Sequence, residues 1–151
     1  MRSFWMIAGA FLLAAVPALA GDDIGYVKNA TGTVSAERGG SPVSLVSGSK
    51  VCANDVLVTG AEASLGVILI DDTTLSLGPK GRLVLDSFVF EPGADKLGMR
   101  LSLAGGTLAM ITGEITRLAP ERTRITTPVM SIGIRGTSLL VSADGDGGGA
   151  K

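Results

Sequence analysis

Past residue 20, apolar residues recur at every second position in short runs, and Gly, Pro, Asp or Asn interrupts them every few residues. Period-two runs bounded by turn residues predict β-strands. The spacing predicts strands over Ile24–Lys28, Gly32–Glu37, Val43–Val46, Val56–Thr59, Ala63–Ile70, Thr74–Leu77 and Leu83–Phe90. Tyr26, Val34 and Ala36 are the inward positions of the first pair, and the unbroken run Val67-Ile68-Leu69-Ile70 predicts burial on both faces. Leu97–Leu103 and Thr107–Thr112 flank Gly105-Gly106, which reads as a hairpin. Glu114–Leu118, Arg122–Thr126, Val129–Ile134 and Thr137–Ser142 complete a series of roughly a dozen strands. Few windows are free of Gly and Pro long enough for a helix. The fold class is therefore all-β, many short strands in a β-solenoid, roll or sandwich. A loose recurrence of Gly-Thr ahead of a strand, at Gly32, Gly106 and Gly136, leans toward a rung-like repeat.

The first twenty residues break the alternation. Arg2 precedes a charge-free apolar stretch, Pro17 breaks it, and Ala18-Leu19-Ala20 is a small-residue cleavage site ahead of Gly21-Asp22-Asp23. This order predicts a cleaved secretory signal over 1–20, a β domain over 21–143 and a flexible Gly-rich tail over 144–151. The expected location is periplasmic or secreted, with no membrane span after cleavage, and Gly21 offers no Cys for lipidation.

Composition narrows the chemistry. With Arg2 gone from 13 basic residues, against 14 acidic ones, the remainder carries a net charge of −2. No basic run exists, since Glu121 and apolar residues separate Arg117, Arg122 and Arg124, so nucleic acid is not an expected partner. Histidine is absent, which removes the usual general base and metal ligand. The single Cys52 can form no intramolecular disulfide and reads as a buried small hydrophobe. Ser47 or Ser49 beside Lys50 does not make a catalytic pair, because adjacent strand residues point to opposite faces. Asp71-Asp72 reads as a turn. Asp144-Gly145-Asp146-Gly147 lacks the remaining ligands of a calcium loop. No catalytic residue, cofactor or metal is expected. Aromatic residues make up 4% of the chain, too few for a typical sugar platform, yet a polysaccharide- or peptidoglycan-binding module remains the alternative to a protein-interaction module.

Two stretches carry a family resemblance. One runs from Leu45-Val46-Ser47-Gly48 through Asn54-Asp55-Val56-Leu57-Val58-Thr59-Gly60 to Asp71-Asp72-Thr73-Thr74-Leu75-Ser76-Leu77-Gly78-Pro79. The other runs from Leu101-Ser102-Leu103 to Thr127-Pro128-Val129-Met130-Ser131-Ile132-Gly133-Ile134-Arg135-Gly136-Thr137. The chain resembles a FecR domain over Ile24 to about Ser142. Asn54 and Asp72 stand where that family's motif has Gly, and both residue types tolerate the left-handed region. The resemblance implies a free-standing external FecR-like domain that senses or signals through a protein partner in the cell envelope, without the cytoplasmic sigma-factor segment. Its signature residues here are Thr127, Pro128, Ile132, Gly133, Arg135, Gly136 and Thr137, expected to be structural. Arg135 is expected to brace loop carbonyls, with a partner contact as the other reading.

Overall fold

The computed structural model describes residues 23–136 and 138–143. The proposed signal segment and the Asp144–Lys151 tail lie outside the described residues. Twelve strands are described: β1 (Asp23–Thr31), β2 (Val34–Arg38), β3 (Ser41–Ser44), β4 (Lys50–Cys52), β5 (Val56–Thr59), β6 (Ser64–Leu69), β7 (Thr74–Leu77), β8 (Arg82–Glu91), β9 (Lys96–Ile111), β10 (Thr123–Thr126), β11 (Ser131–Gly133) and β12 (Ser138–Ala143). A short helix, α1 (Glu114–Leu118), falls between β9 and β10. All-β is the fold.

The strands form one curled, open sheet in the order β3-β2-β5-β8-β9-β7-β6-β1-β4, with β12 and β10 also on β9 and β11 on β10. Every ladder is antiparallel except β9–β10. Such ladders select the roll or sandwich arrangement over stacked parallel rungs. The two halves of the sheet enclose one continuous core, in which Leu65, Val67, Leu75 and Leu108 meet Leu57, Leu83, Leu101 and Leu103. Alternate residues of each strand supply it, and this burial is the main stabilising term.

β9 joins the halves. Its Leu97–Leu103 part pairs with β8, and Met99–Ser102 also with β10, while Leu108–Ile111 pairs with β7 and Gly106–Ile111 with β12. Gly105-Gly106 is thus a bend in one strand rather than the expected hairpin. A Gly-Gly pair permits either outcome, and the ladder partners of the flanking residues decided it. Gly106 has φ +83, and a Cβ there would stand 2.5 Å from the Gly81 Cα, so the bend needs glycine twice over. The Gly-Thr recurrence now has a meaning: Gly32, Gly106 and Gly136 all have positive φ and sit where the chain crosses from one half of the sheet to the other.

Other expectations are corrected. Glu114–Leu118 is helical, because Asp71 caps it from a distance: its carbonyl accepts the Glu114 N–H at 2.8 Å and its carboxylate the Ile115 N–H at 3.2 Å. The Val67–Ile70 run is not buried on both faces. Leu65, Val67 and Leu69 point inward, Ile68 is half-buried and Ile70 is exposed. Tyr26 is exposed while Ile24 and Val27 point inward, because a bulge between Asp23 and Gly25 breaks the alternation. Val129 and Met130 belong to an exposed turn, not a strand. Val34, Ala36 and Cys52 are buried.

Candidate interaction surface

The outer side of one half-sheet carries a register row in which Tyr26 lies opposite Ile68, Ile68 opposite Thr74, Thr74 opposite Ile111, and Ile111 opposite Ser138. The next row runs Asn29, Gly66, Ser76, Ala109, Leu140. Directly opposed residues of antiparallel strands share a face, so these ten form one surface, and none is charged; the first row continues past Tyr26 to Lys50 on β4. Ile111 and Leu140 are 57% and 71% exposed, well above what a core-facing aliphatic shows. A shallow hollow of about 360 Å³ lies between them, with Thr74, Ser76 and Ala109 on its floor.

This face ends at β12. Among the described residues β12 pairs with β9 alone, and its sequence, Ser138-Leu139-Leu140-Val141-Ser142-Ala143, contains neither charge nor proline. Edge strands are ordinarily blunted by such residues, and an unblunted edge is a template for strand addition. At the far side of the same half, β4 carries Lys50, whose ammonium pairs with Asp23 at 2.9 Å.

The signature residues are spread along one hairpin rather than gathered in a site. Thr127 is buried at the β10–β11 turn; its N–H donates to the Met130 carbonyl at 2.8 Å, and its hydroxyl accepts the Met130 N–H at 3.2 Å. Thr127 therefore holds the turn, with Pro128, Val129 and Met130 exposed at its tip. Ile132 packs half-buried against the core, and Gly133 is exposed with open space around it. Arg135 and Gly136 lie past the other end of β11, and the Gly136 carbonyl accepts the Thr112 hydroxyl at 2.8 Å. Thr137 lies outside the described residues. Arg135 is exposed on an open cleft of about 570 Å³ shared with Glu114 and Arg117. Its guanidinium makes no hydrogen bond among the described residues.

The buried acids hold the framework. Asp55 takes a two-pronged contact from Arg38, Nε to Oδ1 at 3.0 Å and Nη2 to Oδ2 at 2.8 Å, and accepts the Cys52 N–H at 2.9 Å. That bond raises the Arg38 pKa further still. Asp71 accepts the Thr73 N–H and hydroxyl at 3.1 and 2.8 Å and ties the β6–β7 turn to α1. Asn54 and Asp72, standing for the motif's glycines, have φ +67 and +66, as a left-handed position requires. Burial pushes the Cys52 thiol pKa up, and its bond to Asp23 at 3.4 Å adds to this. Lys50 and then Cys52, both bonded to Asp23, lower that carboxyl. Ser47 donates to the Lys28 carbonyl, and Ser49 accepts the Val46 N–H, so neither serine is directed at Lys50. No group of three or more Cys, Asp or Glu side chains is placed to hold a metal among the described residues.

The family model for FecR protein matches residues 55–150, more than half of the chain. The chain belongs to the FecR family. Comparison with curated proteins and with solved structures yields no match. Membership assigns this chain to a family of sensing and signalling modules that act through partners. The match begins at Asp55, later than the resemblance from Ile24, yet β1 and β2 are integral to the FecR sheet through their ladders with β6 and β5. No described helix is long and apolar enough to cross a membrane. Sequence reasoning missed Ile111 and Leu140 as surface positions. Their period-two signal was legible, but which face was covered was not.

Proposed function

We propose that this FecR protein is an exported, non-catalytic interaction module that works in the periplasm or outside the cell by binding a protein partner of the cell envelope. The observation that carries the reading is the uncharged part of the half-sheet's outer face, from Gly66 and Ile68 of β6 across to the open edge of β12. The occupant it fits is an extended protein segment that adds a strand along Ser138–Ala143 and lays uncharged side chains over Leu140 and Ile111. A charged segment would lose hydration with no opposite charge to meet it. With Tyr26 the one aromatic residue in the two rows, a glycan has little to stack on.

The test is a photo-crosslinking residue at position 140 of the full chain, produced in an envelope-bearing host, with hydrogen exchange on the recovered complex. The expected result is a crosslink to an extended, uncharged segment of a protein, added amide protection across β12, loss of both in Leu140→Lys, and an intact mass beginning at Gly21. Capture unaffected by Leu140→Lys, capture of a second copy or of peptidoglycan, or a cytoplasmic chain of full mass would each overturn the reading.

A further inference from the structure

The parallel ladder between β9 and β10 sets Arg124 opposite Arg100 on the outer side of the other half-sheet. Like charges at opposed positions destabilise a sheet. Arg122 reaches the same place, and the three guanidinium-bearing side chains line one hollow of about 160 Å³ with Ser87, Gly98 and Glu121. Existing contacts leave the charge uncompensated. Arg124 donates to the Ser131 hydroxyl at 2.9 Å, and Arg122 to the Asp95 carbonyl at 3.0 Å, both neutral acceptors. Glu121 stands 4.0 Å from Arg122, the outer limit of an ion pair. Arg100 has no side-chain hydrogen bond among the described residues. Three cations against one carboxylate leave a net charge of +2 in a chain whose overall charge is −1.

We propose that this hollow binds a phosphate group. Arginine forks match phosphate oxygens two at a time, and a phosphate monoester carries about −1.5 to −2 at neutral pH, which balances the local +2 where a carboxylate would not. The hollow is smaller than the roughly 300–1,000 Å³ typical of sites for larger organic ligands, so it suits a single ionic group. Gly98 leaves the floor open: a Cβ there would meet only the Arg122 carbonyl, at 3.8 Å. Free phosphate and the monoester headgroup of an anionic lipid offer the same chemistry. The site lies on the half-sheet that does not carry that uncharged surface, so it is independent of the partner reading.

Isothermal titration with inorganic phosphate, at ionic strength held constant with chloride, tests the free ion. Flotation with phosphatidic acid vesicles, against phosphatidylcholine vesicles, tests the headgroup. Binding in either arm is expected, with at least a tenfold loss in Arg100→Gln and in Arg124→Gln and loss on filling the floor with Gly98→Val. In chloride alone, Arg100→Gln is expected to melt no lower than the parent, because it relieves a repulsion, so weaker binding cannot be put down to unfolding. Phosphate is expected to raise the parent's melting temperature and not that of the variant. No binding in either arm, or unchanged affinity in both glutamine variants, overturns the proposal.

Discussion

Removing the Arg38 guanidinium from beside Asp55 tests the buried charge that ties β2 to the β4–β5 corner. Asp55 is fully buried and keeps three donors, Arg38 Nε, Arg38 Nη2 and the Cys52 N–H. Arg38→Ala deletes two of the three and the only opposite charge paired with Asp55 among the described residues. Breaking a buried ion pair from one side costs about 3–5 kcal/mol. The Arg38 side chain is 28% exposed, so water can partly replace it, and the lower end, about 3 kcal/mol, is expected. At about 4 °C per kcal/mol for a domain of this size, the melting temperature should fall by about 12 °C. Asp55→Ala should cost less, since the freed guanidinium can turn to solvent. The double variant should cost less than the sum of the singles by about 2 kcal/mol, the coupling of the pair. Urea unfolding of the four proteins closes the cycle. A fall below about 3 °C for Arg38→Ala, or plain additivity, would refute the claim that this contact holds the corner.

Two further predictions rest on single positions. The raised Cys52 thiol keeps its proton in the folded chain at a pH where an unfolded thiol, near 8.5, has lost it, so its contribution is complete below that value and is lost as pH rises through the folded one. Urea midpoints from pH 7 to 10.5 should therefore fall more steeply for the parent than for Cys52→Ala, and parallel curves would contradict this. Gly113→Ala would place a Cβ 2.1 Å from the Asp71 carbonyl oxygen and 2.5 Å from the Thr73 nitrogen, both backbone atoms. It should cost at least about 2 kcal/mol, whereas Gly133→Ala, in open space within the signature segment, should change the unfolding free energy from urea titration by less than about 0.5 kcal/mol.

What could be read along the chain was local. Period-two alternation located nearly every strand, because a strand with one buried face must alternate wherever it pairs. The Asn and Asp substitutions at 54 and 72 announced left-handed corners, because φ preference belongs to the residue itself. The two largest misreadings share one cause, dependence on partners distant in sequence. Gly105-Gly106 bends instead of turning because β7 and β12 take one side of it and β8 and β10 the other. Glu114–Leu118 is helical because a carboxylate more than forty residues earlier caps it. The same holds for the surfaces. Arg100 lies 24 positions from Arg124, and only the parallel ladder makes them neighbours, so a chain without a basic run still builds a cationic hollow. Ile111 and Leu140 alternate as core residues would, but their strands have one covered face each, and the curl of the sheet left these two outside. Alternation and turn chemistry are properties of neighbouring residues and survive in any fold; pairing, burial and charge clustering are properties of which strands meet, and those the tertiary structure decided.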